Sequence, residues 1–113
     1  MSRILINDGS NRVVLENVLL AKSTVARMRG LLGRRSLRTD SGMLIRPCQS
    51  IHMWFMCFPI DAAFLDKDLQ VLRIARNLRP WQLAFAPRGT CCVLETATGV
   101  LDSINKFDRL SLE

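Results

Sequence analysis

Short apolar runs separated by turn-forming residues make up most of the chain. Ile4, Leu5 and Ile6 precede Asn7-Asp8-Gly9-Ser10, and Val13, Val14 and Leu15 follow, the pattern of two short strands about a turn. Val18 to Ala21 continues the sheet, and Met43 to Ile45 is a further apolar run broken by Pro47, Gln49 and Ser50. Ile51 to Phe58 is almost wholly apolar, as in a strand covered on both faces. After Pro59, Asp61 to Leu65 leads through Asp66-Lys67-Asp68 into Leu69 to Ala75, a hairpin with a polar tip. Pro80-Trp81 and Pro87-Arg88-Gly89 bracket a loop region, Thr90 to Thr96 reads as a strand, and Arg109 to Leu112 reads as the last one.

One segment carries a helical period instead. Val25, Met28, Leu31 and Leu32 share one side behind Ser23 or Thr24 as N-cap, with Gly33 placed to end the helix, so the spacing predicts a helix near residues 24–33. A short second helix is expected near 99–105. The predicted fold class is α+β, mainly antiparallel β and partly barrel-like, in a single domain over 1–113. At 113 residues the chain is sized for one core.

Composition narrows the function classes. With 49% hydrophobic and 23% charged residues the chain has the balance of a folded globule. The N-terminal run is too short for a secretory signal, and no stretch approaches the ~20 apolar residues of a membrane span, which predicts a soluble, cytoplasmic protein. Cys48, Cys57, Cys91 and Cys92 are then expected as thiols. Walker, dinucleotide, zinc-ribbon and nucleophile-elbow motifs are absent, and no cofactor is called for. Cys48, His52 and Met56 are ligand types that suit copper(I), but strand residues four apart lie ~13 Å from one another, so no metal site is expected.

Net charge is +6, and arginine outnumbers lysine among the sixteen basic residues. Arg27, Arg29, Arg34, Arg35 and Arg38 form the densest positive patch, which could grip nucleic acid or an anionic surface. No aromatic residues interleave with them, so a solvated helix face is preferred and nucleic-acid binding stays an alternative.

The candidate chemistry gathers in one stretch. His52 is the only histidine, and Trp54, Met56 and Asp61 follow it closely. The leading reading is a binding or accessory module that holds a small polar ligand or peptide end in a cleft lined by His52, Trp54, Met56 and Asp61, with an arginine nearby. A small hydrolase or transferase using Cys48 or Asp61 with His52 is the alternative, and binding is placed ahead of catalysis.

The segments Gly42-Met43-Leu44, Ser50-Ile51-His52-Met53-Trp54-Phe55-Met56 and Pro59-Ile60-Asp61-Ala62-Ala63-Phe64-Leu65-Asp66 resemble the uncharacterised family known as domain of unknown function 192, also UPF0127. Arg29-Gly30-Leu31-Leu32-Gly33-Arg34, Val93-Leu94-Glu95 with Gly99, and Phe107-Asp108-Arg109-Leu110 match its flanking pattern, so the likeness runs from about Ala21 to Leu112. Phe107 departs from it, standing where the family commonly has a small residue. The resemblance implies a compact, mostly β domain and supplies no established activity. It adds Arg29 and Glu95 to His52, Trp54 and Asp61 as candidate ligand-binding residues.

Overall fold

A computed structural model describes residues 3–22, 36–46, 50–52 and 57–113. The apolar runs become strands β1 (Arg3–Asn7), β2 (Arg12–Ala21), β3 (Ser41–Ile45), β4 (Ser50–His52), β5 (Ile60–Leu65), β6 (Val71–Leu78), β7 (Leu83–Phe85), β8 (Cys92–Thr96) and β9 (Leu110–Leu112). Seven of them form one sheet in the order β6-β5-β8-β3-β2-β1-β9, and β4 pairs with β7 in a separate two-stranded ribbon. The β2–β3 pair is parallel and the remaining pairs are antiparallel.

Irregular pairing decides which side chains reach the core. Burial along β2 repeats every third residue, at Leu15, Val18 and Ala21, while Leu19 and Leu20 are exposed. Ala21 packs on the opposite face with Met43 and Ile45, and for Leu15 and Val18 the cause is a bulge, since the amides of Glu16 and Asn17 both donate to the Asp40 carbonyl, at 2.9 and 3.1 Å. Its extra residue brings Leu15 and Val18 to the same face. β6 slips against β5 in the same way between Arg73 and Val71, and again near Asn77, which has φ 52°.

The large sheet is apolar on both faces. On one side Met43, Ile45, Ala62, Phe64 and Val93 pack with Phe58 and with Ala84 of β7, so the ribbon lies over this face. On the other, Leu5, Leu15, Val18, Leu44, Ala63 and Leu94 pack with Leu101 and Ile104 from the segment before β9. β3 sits so close to its neighbours that a Cβ on Gly42 would lie 2.7 Å from Leu15 Cδ1 and 3.0 Å from the Glu95 carbonyl oxygen.

The α+β expectation gives way to an all-β fold, because no helix occurs among the described residues. The expected helix near 99–105 is a chain of turns. Its amide bonds run from Val100 to Ala97, Asp102 to Gly99 and Ile104 to Leu101, and Gly99 enters it at φ 88°, outside the helical region. Leu101 and Ile104 are each driven fully into the core, and that packing takes the place of a continuous helical ladder. The expected helix near 24–33 lies outside the described residues. The partly barrel-like sheet is also corrected to an open mixed one, whose edge strands β6 and β9 approach each other at the Gln70–Arg109 bridge beside them. The amides of Val71 and Leu110 tie that corner to the carbonyls of Asp108 and Leu69. Phe107, at φ 74°, donates its amide to the Val71 carbonyl there, a conformation that a residue without a Cβ adopts more readily.

The long strand expected through Phe58 is not continuous either, for Cys57 and Phe58 form a bend before β5. β7 falls within the stretch expected to be loop.

Candidate functional site

Asp61 is buried, and both carboxylate oxygens are engaged by backbone. Oδ1 accepts from the Asn77 amide at 2.8 Å and Oδ2 from the Gly99 amide at 2.9 Å. Asn77 and Gly99 both hold positive φ, so one carboxylate clamps a bulge of β6 and the turn after β8. Strand alternation puts Asp61 on the face of Ala63, Leu101 and Ile104.

Glu95 is also fully buried, in β8 between its strand partners Met43 and Ala62. It alternates with Leu94 and shares the face of Val93, the one over which the β4–β7 ribbon packs. Asp61 and Glu95 therefore lie on opposite faces of the sheet and do not contribute to one cleft. His52 ends β4 directly opposite Leu83 of β7, in the layer on Glu95's side of the sheet and across it from Asp61. Arg29, Trp54, Met56 and Cys48 lie outside the described residues.

Of the described cysteines, Cys57 is exposed, Cys91 partly buried and Cys92 buried. Burial pushes the Cys92 thiol up from its ordinary range, and a hydrogen bond with Arg46 pulls it the other way. Arg38 and Ser41 hydrogen-bond the Asp40 carboxylate and hold its pKa down, beside the backbone carbonyl that serves the β2 bulge.

Two features escaped the sequence reading. β7 presents Leu83 and Phe85 outward at 48% and 68% exposure with Ala84 between them buried, and Trp81, in the turn before the strand, is 62% exposed. The alternation of Trp81, Leu83 and Phe85 was the available signal, hidden by the prolines on either side. The second is a cavity of about 580 Å³ lined by Leu20, Ala21, Lys22, Leu44, Arg46, Leu69 and Leu112. It joins four separate chain segments, so no local pattern announces it. Among the described residues no group of three His, Cys, Asp or Glu side chains could hold a metal ion, and no helix is long and apolar enough to cross a membrane.

The model of the DUF192 family, described as Uncharacterized ACR, matches residues 4–111. The chain belongs to the DUF192 family. A UPF0127 protein of Thermococcus sibiricus is 33% identical over 106 residues, covering 90% of this chain and 68% of the relative. Among solved structures, a "putative transcription regulator" from Sinorhizobium meliloti 1021 superposes with TM-score 0.80 at 28% identity, covering 97% of this chain and 91% of that one. A protein of unknown function from Novosphingobium aromaticivorans DSM 12444 superposes with TM-score 0.81 over 98% of this chain and 84% of its own, and at 24% identity it shares the fold. The likeness covers almost all of this DUF192 chain, including β4 with His52 and β8 with Glu95.

Proposed function

We propose that this DUF192 domain is a binding module without catalytic chemistry, and that its β4–β7 ribbon takes an extended peptide segment carrying apolar and acidic residues. The observation that supports this reading is the exposure of Leu83 and Phe85 on β7 and of Trp81 in the turn before it, an arrangement soluble domains ordinarily avoid unless it meets a partner. Arginines surround it: Arg73 donates to the Phe85 carbonyl at 2.7 Å, and Arg79 and Arg88 are exposed on either side of the strand. Together they favour an acidic partner. The register of His52 opposite Leu83 puts the family's histidine on the same ribbon. Trp54 and Met56 follow it in sequence and belong to the proposed site with Arg29, whereas Asp61 serves as a clamp on the far face.

Fluorescence anisotropy with a labelled peptide of alternating valine and glutamate tests the reading. Binding is expected to weaken at least about tenfold in the Leu83→Ser/Phe85→Ser double variant, whose exposed positions leave the unfolding midpoint nearly unchanged. Equal affinity in the double variant would remove the proposal. A mixed-sequence oligonucleotide serves as the competing probe, given the regulator name carried by the Sinorhizobium protein. Tighter, steeply salt-dependent oligonucleotide binding that ignores the double variant would replace the peptide reading with nucleic-acid binding.

A further inference from the structure

We infer that the cavity between β2, β3, the β5–β6 turn and β9 is a second site, separate from the ribbon, that binds a straight-chain carboxylate amphiphile. Leu20, Leu44, Leu69 and Leu112 wall it, and its volume of about 580 Å³ falls within the range of small-molecule sites. Among the described residues, Lys22 and Arg46 are the charged ones that line it, and both are exposed, so the cations stand where the apolar walls meet water. An apolar slot with two cations at its mouth and no carboxylate among the described lining residues is complementary to a ligand with one anionic end and a hydrocarbon body.

Two local features hold this shape open. Leu20 reaches the cavity although it lies at 49% exposure on the strand that the Glu16–Asn17 bulge has turned. Leu69 occupies φ 62°, a conformation unfavourable for a branched side chain, in a turn held by Asp66 Oδ1, which accepts from the amides of Asp68 at 2.8 Å and Gln70 at 2.9 Å. The carboxylate of the ligand would meet Lys22 and Arg46. Its chain would run along the leucines.

Isothermal titration of the whole chain at neutral pH with octanoate, decanoate and octanol, all below micelle formation, tests the inference. Decanoate should bind about fifteenfold tighter than octanoate, the ratio expected for burying two more methylenes. Octanol should bind at least about tenfold more weakly than octanoate, because it cannot engage the cations. Arg46→Gln and Lys22→Gln should each reduce the octanoate–octanol difference, and Leu20→Asp should abolish decanoate binding while leaving the unfolding midpoint nearly unchanged. The Leu83→Ser/Phe85→Ser variant should bind decanoate normally, so loss of the peptide reading would leave this site standing. Absence of decanoate binding at ~1 mM overturns the inference. So does binding that survives Leu20→Asp, or that is lost in the ribbon variant.

Discussion

Asp61 opens an apolar strand and lies buried, with both carboxylate oxygens engaged. An aspartate in such a position must be paired, and the sequence reading set it in a cleft with an arginine nearby. The partners are the amides of Asn77 and Gly99, one on each oxygen. Such donors belong to every residue and leave no mark in the sequence, so only the fold could name them. Asp61→Asn would replace one acceptor with an amino group facing a backbone amide. We expect it to destabilise the protein by about 2–4 kcal/mol in denaturant unfolding, as for a buried charged acceptor lost to an unsatisfied donor. A change within about 0.5 kcal/mol would instead return Asp61 to the role of a ligand contact.

Elements were legible where pairing is local. The β1–β2 and β5–β6 hairpins, with β3, β8 and β9, followed from apolar runs and the turn residues between them. β7 was missed because three residues between prolines carry too short a pattern, and the second helix failed because core packing of Leu101 and Ile104 outweighed helical hydrogen bonding. Bulges defeat simple alternation as well: Leu15 and Val18, three apart on one face of β2, have no counterpart in an ideal strand. Gly42 marks where strand packing is tightest. Gly42→Ala should cost about 1–3 kcal/mol, since the added methyl meets Leu15 and the β8 backbone and β3 cannot retreat from both β2 and β8. Urea midpoints checked by retained far-ultraviolet circular dichroism would measure it, and a neutral result would mean that the sheet can yield at its centre.

Across the whole molecule, pairings between distant residues dominate. Leu5 lies opposite Leu112, and β3 is held between β2 and β8. Closing such long loops precedes the contacts that reward them, so the fast refolding phase is expected in milliseconds to seconds by stopped-flow fluorescence. Microsecond refolding would show that local contacts set the barrier instead. By itself the sequence determined the family, most strand positions and the chemical types of the candidate residues, because apolar runs, turn residues and short motifs are local properties. Which acids share a face, which leucines surround a cavity and whether the sheet closes were decided only in the tertiary structure. Those outcomes depend on strand order and on one-residue bulges, and a single inserted residue exchanges the two faces of a strand without changing its composition.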